Sequence, residues 1–450
     1  MKMRNPTKLA ALATTALISL GSSAVLAEDV TIQVWVGGGA GAENSYRLGA
    51  IEIAADQMER EAAIAGDDLN ITIDGQFFDD WSAFKQAVTL GGEAGTAPHI
   101  VVSGHEDIAP WAQSGLIVPI EDYVDLDSWP INDIYDNLLE TSSFEGTLYG
   151  LPQDAESRPF FVWREYMTAI GYSDAQIDAL PADIQSGAYT LANVLEDAKK
   201  IQDAGLVEPG YGFYPRASNG PDYWQFYLSF GGVMEEDGKL VFDKQAMTGF
   251  YQFFVDAVAS GVTKKNHLGM DWGQWYSEVA NGKAAMWHGG TWHFGRYKKE
   301  GNDDFFGTIQ FGLIPGGGDN GAANTITHPL VYLLTQQDND DETAIAAELI
   351  KIASGPRINA LHAIKSAHLG ISKSEESVDL YSGDRWAREA TSRLLPSASS
   401  MPNNVNFGQY WEIMFGGLEA SWTGSKTVDQ AIADVETELT STLGDKIIMR

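Results

Sequence analysis

Between Val30 and Ser103 the sequence switches repeatedly between two periods, and no other feature constrains the fold as much. Val30-Thr-Ile-Gln-Val-Trp-Val36 alternates and is β-branched, which predicts a strand. Residues 46–63 carry a helical pattern, and Leu69-Asn-Ile-Thr-Ile73 predicts a second strand. Residues 81–90 predict a second helix, and His99-Ile-Val-Val-Ser103 a third strand. Strands that alternate with helices predict an α/β chain whose parallel sheet is covered on its faces. Further on, helical patterns dominate, over residues 191–204, 246–260, 343–353 and 428–443, with glycine-rich turns between them. There is no internal repeat and no low-complexity segment.

The first 27 residues stand apart. Lys2, Arg4 and Lys8 precede an uncharged run from Leu9 to Leu20, too short to cross a bilayer, which takes about 20 residues. Val25 and Ala27 then fit a small-residue cleavage site before Glu28. The expectation is a cleaved Sec signal peptide over 1–27 and release into the periplasm of a Gram-negative cell. No cysteine follows the cut to take a lipid, and no Arg-Arg pair marks the twin-arginine route. With no cysteine at all, disulfides and thiolate metal sites are excluded. Core burial alone must hold the chain, and 450 residues suffice for two or three lobes. Loss of the three basic residues takes the formal charge from −33 to −36, which argues against nucleic acid or anionic lipid as partners. It leaves the ligand open, since a cleft can differ in sign from the whole surface.

The 13 tryptophans carry more information than the charge. Trp81, Trp129, Trp224, Trp272, Trp275, Trp292 and Trp411 sit beside glycine, proline or polar residues rather than inside apolar runs. That context suits flat platforms at a surface or cleft, where the C–H face of a sugar ring can rest. Other motifs fare worse. Gly37-x-Gly39-x-x-Ala42 imitates a dinucleotide loop, but the required acidic residue does not stand at the right distance. His288 and His293 are badly spaced for a metal, and Asp338-x-Asp340-x-Glu342 lacks the glycine and distal glutamate of a calcium loop, so it is read as an acidic helix start. Glu106, Asp154 and Glu156 are the carboxylates that a secreted glycoside hydrolase would need.

Six weak motifs in the right order cover nearly all of the mature chain. Pro98-His-Ile-Val-Val-Ser103 with Trp111-Ala-Gln-Ser-Gly-Leu-Ile-Val-Pro-Ile120, Gly146-Thr-Leu-Tyr-Gly-Leu-Pro152, and Tyr189-Thr-Leu-Ala-Asn-Val-Leu195 are three of them. Asn281-Gly-Lys-Ala-Ala-Met286 with Gly290-Thr-Trp292, Phe311-Gly-Leu-Ile-Pro315, and Trp411 with Val428-Asp-Gln-Ala-Ile432 complete the set. Together they resemble the family 1 extracellular solute-binding proteins, the maltodextrin-binding type that serve ABC sugar importers. The resemblance implies a two-lobed periplasmic-binding-protein fold with a ligand cleft and a hinge. Lobe 1 would hold 28–153 plus 330–375, the hinge crossing 154–157, and lobe 2 158–327 plus 379–450. It further implies a monomer without catalytic residues, cofactor or metal, whose partners are a small carbohydrate and a membrane permease. The implied ligand contacts are Trp35, Gly39 and Asn44 at the end of the first strand and its loop, and Ser103 and Glu106 after the third. Asp154, Glu156 and Arg158 follow at the hinge, then Asp222, Tyr223 and Trp224, then Trp287, His288 and Trp292, and finally Trp411. Acidic hinge residues and tryptophans favour a neutral oligosaccharide or glycoside. Arg158, Arg216, Arg296, His288 and His293 instead suit an acidic or sulfonated sugar or polyol.

Overall fold

The computed structural model describes residues 28–38 and 45–450. The predicted signal peptide, Gly39 and Asn44 lie outside the described residues. The chain forms two α/β bodies. In the first, the strand Glu28–Gly37 pairs in parallel with Leu69–Phe78 on one side and with Ile100–Gly104 on the other. Leu330–Thr335 adds antiparallel to Ile100–Gly104, with Val331 opposite Ser103, and also pairs with Gly150–Pro152 and Ile117–Val118. A strand more than 220 residues downstream of Ile100–Gly104 is thus an inner strand of the same sheet. Ile32, Val34 and Val36 are fully buried while Thr31 and Gln33 face outward, as the period of two requires. Helices Ser45–Ala65, Asp340–Ala353 and Pro356–Ser366 pack on this body.

Helix boundaries follow local chemistry. Asp80 caps Trp81–Ala94 by accepting from the Ala83 amide. Asn339 caps Asp340–Ala353, whose first turn holds Asp340, Asp341 and Glu342 against the positive end of the helix dipole. Asp338 to Glu342 is therefore a helix start, as its spacing suggested.

The second body is built on a three-stranded antiparallel sheet, Met286–His288, Phe160–Trp163 and Ile309–Gly312. Helices Lys244–Ala259, Phe407–Trp422 and Val428–Leu443 pack against one another beside it. The core here is aromatic: Trp224 stacks on Trp411 at 4.4 Å and lies against Phe407 and Tyr410. The short helix Asp379–Gly383 packs on both Pro356–Ser366 and Arg385–Leu394, at the seam between the bodies.

Three segments connect the bodies and are tied to each other. Ala155 and Leu369 exchange both backbone hydrogen bonds, at 2.9 and 3.2 Å. The Leu330 amide donates to Asp154 Oδ1 at 3.2 Å, and the Arg158 amide to Thr325 Oγ1 at 2.9 Å. Among the described residues no helix is long and apolar enough to cross a membrane.

Candidate ligand-binding cleft

A cavity of about 700 Å³ opens where these crossings meet both bodies. Two glycines fix its walls by close approach. A Cβ on Gly37 would run into the indole of Trp81, and one on Gly290 into that of Trp292. Trp81 and Lys85 stand one turn apart on Trp81–Ala94, and Trp272 and Tyr276 one turn apart on Trp272–Ala280. Trp292 and Arg296 repeat that spacing at the start of His293–Lys299.

A chain of charges crosses the floor. His368 Nε2 meets Glu156 Oε1 at 3.1 Å, and Glu156 Oε2 accepts from Arg158 Nη1 at 3.2 Å. Arg158 Nε then lies 3.4 Å from Asp222 Oδ1, and Arg216 Nε 3.5 Å from Asp222 Oδ2. Arg216 Nη1 donates to Tyr276 Oη at 3.2 Å, and Trp292 Nε1 donates to the same oxygen at 2.9 Å. Burial alone would raise the Glu156 carboxyl, but the His368 hydrogen bond and the Arg158 charge outweigh it and hold it at about 2. Asp222 is likewise lowered, Arg216 and Arg158 overcoming its desolvation. On the opposite wall Glu106 takes Lys85 Nζ at 2.7 Å and His328 Nε2 at 2.8 Å. Despite burial, the Lys85 charge and the His328 contact keep Glu106 well below the usual carboxylate range. Asp107 behind it is pushed up to about 6 by burial and by the Glu106 charge.

Of the ligand contacts named from sequence, Glu106, Glu156, Arg158, Asp222 and Trp292 line the cavity, as do Arg216 and Arg296, named for an acidic sugar. The other described ones do not, and each has a packing role. Trp35 lies against Phe78 at 5.4 Å in the first core. Ser103 Oγ donates to Asp107 Oδ2. Asp154 is fully buried beneath the floor, taking the Leu330 amide and facing His362 Nε2 at 3.3 Å. Tyr223 donates to the Arg216 carbonyl, and the Trp287 indole donates to Tyr297 Oη at 2.6 Å. His288 Nε2 accepts from the Arg216 amide at 3.1 Å, supporting the arginine from behind. Trp224 and Trp411 stack on each other inside the second body. Their polar flanks misled because their apolar neighbours come from distant helices. Of the seven tryptophans read as platforms, Trp81, Trp272 and Trp292 line the cavity, Trp275 is buried, and Trp129 is exposed but does not line the cavity. Arg47, Lys85, Tyr276, His328 and His368 line it too and were not named. The i, i+4 pairs Trp81–Lys85 and Trp272–Tyr276 were the available signal.

Two groups of described residues bring potential metal-ligating atoms within 4.8 Å: His105, Glu106 and His328, and Asp154, His362 and His368. In the first, the Lys85 ammonium already occupies the same carboxylate. In the second, both histidine Nδ1 atoms are buried without the acceptor that metal-bound imidazoles use.

Glu375 anchors the third crossing. Its Oε1 accepts from the amides of Ile371 and Ser372 at 2.8 and 3.0 Å. Burial pushes its carboxyl from the usual 4.5 up to about 8. The folded state therefore holds a proton that the unfolded chain releases, so stability is complete below about pH 4 and is lost as pH rises toward 8. Glu375→Gln removes that dependence. Urea unfolding at pH 8 is expected to show a gain on the order of 2 kcal/mol that vanishes by about pH 4.

Two α/β bodies with a charged, aromatic cleft at their crossings define a two-lobed solute-binding protein. The chain belongs to the bacterial extracellular solute-binding protein family, whose model matches residues 61–360. Solved structures agree on the fold. The GacH receptor of Streptomyces glaucescens, solved unliganded and with acarbose, aligns with a TM-score of 0.74 at 16% identity over 93% of this chain and 99% of that one. Maltose-bound MalE3 of T. maritima aligns at 0.72 and 19% identity, over 92% and 99%. The sugar-binding protein MalE of Xanthomonas citri aligns at 0.73 and 18%, over 92% and 98%. No curated protein sequence matches the chain.

Proposed function

We infer that this protein captures a carbohydrate between its lobes after export to the periplasm and hands it, as a monomer, to the permease of an ABC importer. The observation that carries this reading is the inter-lobe cavity, where aromatic rings alternate with ionised hydrogen-bonding groups drawn from both bodies. Sugar hydroxyls suit such partners, and ring faces suit indoles. The acarbose, maltose and tagatose complexes of proteins with this fold support the same class of ligand. The lobes are taken as 28–153 plus 330–375 and 158–327 plus 379–450, with 154–157 as a hinge. A ligand touching both lobes favours the closed form by its differential affinity for it. A hydrolase is the weaker reading, because a general acid must carry a proton near neutral pH. Glu156 is held at about 2 and Glu106 well below its usual range, which suits ionised hydrogen-bond acceptors better than a proton donor.

The test is calorimetric titration and thermal shift with a panel of neutral and acidic saccharides, on protein recovered from the export compartment. Its N-terminus is expected at Glu28. Saturation at a hundred times Kd adds about 2.7 kcal/mol of stability. A panel in which nothing binds or raises Tm overturns the reading, and so does release of cleaved sugar.

A further inference from the structure

The cleft differs in charge from the rest of the molecule. Its 22 lining residues include five of the chain's 29 lysines and arginines but four of its 62 acidic residues. In a chain with formal charge −33, near-parity of cations and carboxylates is a local reversal.

The arrangement of the cations is more specific still. Each of the four tryptophan and tyrosine rings lining the cavity has at least one of its four arginines within cation–π range. Arg47 lies over Trp81 at 5.7 Å and Arg158 over Trp292 at 5.1 Å. Arg216 lies over Trp272 at 3.9 Å and Arg296 over Tyr276 at 4.9 Å. One face of each ring is therefore taken by a guanidinium. Stacking leaves the in-plane N–H edge of a guanidinium to hydrogen bonds, and that edge matches two oxygens of a planar or tetrahedral anion. Arg158 and Arg216, 4% and 8% exposed, share the Asp222 carboxylate, and Arg158 also pairs with Glu156. At 3.4 and 3.5 Å neither Nε makes a hydrogen bond to it, and both are buried without a partner. Each guanidinium keeps one buried Nε donor without a hydrogen bond, and an oxyanion answers charged donors more strongly than a hydroxyl does.

We propose that the cleft selects saccharides bearing an oxyanion over their neutral parents, with Arg158 and Arg216 gripping that group. This rests on the carbohydrate reading above and narrows it. The charged group can be a carboxylate, a sulfate or sulfonate, or a phosphate monoester, and the probes separate them.

The experiment is isothermal titration of the mature protein with glucose, glucuronate, glucose 6-sulfate and glucose 6-phosphate, and with maltose and a maltose-derived uronic acid. At least one anionic member should bind about tenfold or more tightly than its neutral parent. Its affinity should fall several-fold between low and high salt, while any neutral binding holds. Arg216→Lys and Arg158→Lys keep the charge but lose the fork. Each should cut anionic affinity by about tenfold more than it cuts any neutral affinity, so that the preference for the anionic member is lost. Should a variant fail to fold, the salt series on the unaltered protein decides. Neutral sugars binding as tightly as their anionic partners, without salt dependence, overturn this inference and leave the carbohydrate reading standing. If no saccharide of either kind binds, the carbohydrate reading falls and this inference with it.

Discussion

Trp292→Ala is expected to weaken solute binding by about 100-fold, roughly 2.7 kcal/mol, while the protein stays folded. Three contacts explain the size of the effect. Trp292 supports the Arg158 guanidinium, lies near-parallel to His368 at 6.1 Å, and donates to the Tyr276 hydroxyl. Removing the indole takes away the surface that holds Arg158 in place between Glu156 and Asp222 and leaves Tyr276 without that donor. One ring thus orders groups on the floor and on two walls. Because Trp292 is only partly buried, the stability cost should stay near 1–2 kcal/mol. Circular dichroism with urea unfolding separates the two effects. Unchanged affinity in a folded variant would remove Trp292 from the binding surface.

Trp224→Ala should do the opposite. Trp224 is fully buried, stacked on Trp411 at 4.4 Å, and enclosed by Phe407 and Tyr410. Truncating so large a side chain in a packed core costs about 3–5 kcal/mol. The helix Phe407–Trp422 rests on it, so the loss should appear as a lowered Tm and as exposure of the C-terminal helices to protease. Molecules that remain folded should bind solute within about twofold of the unaltered protein. A large affinity loss without destabilisation would place Trp224 at the ligand after all.

These two tryptophans show how far the sequence could be read. Strands and helices with strong local periodicity, such as Leu69–Phe78 and Val428–Leu443, are legible because alternation or 3.6-residue spacing is written in adjacent residues. Glu156 and Arg158 were within reach because they flank one crossing segment. Trp224 and Trp292 have similar polar flanks, yet one is core and the other faces the cleft. The difference lies in Phe407 and Tyr410, far downstream, which no local pattern reveals. The arginine–aromatic pairs are hidden for the same reason: Arg158 and Trp292 meet only after the second sheet has formed. Spacing does reveal the wall of Trp81 and Lys85 once the helix is known, but not that Lys85 will meet Glu106 from the end of another strand.

The central claim is that solute is held between the two bodies, and hydrogen–deuterium exchange with saturating saccharide tests it most directly. The tightest binder of the panel should slow exchange on both sides of the cleft. Protection is expected in the Trp81–Ala94 helix and around Glu106 on the first body, and in residues 216–224 and 288–296 on the second. The crossing at Glu156 to Arg158 should be protected as well. Protection confined to one body, or centred away from these segments, would contradict the account.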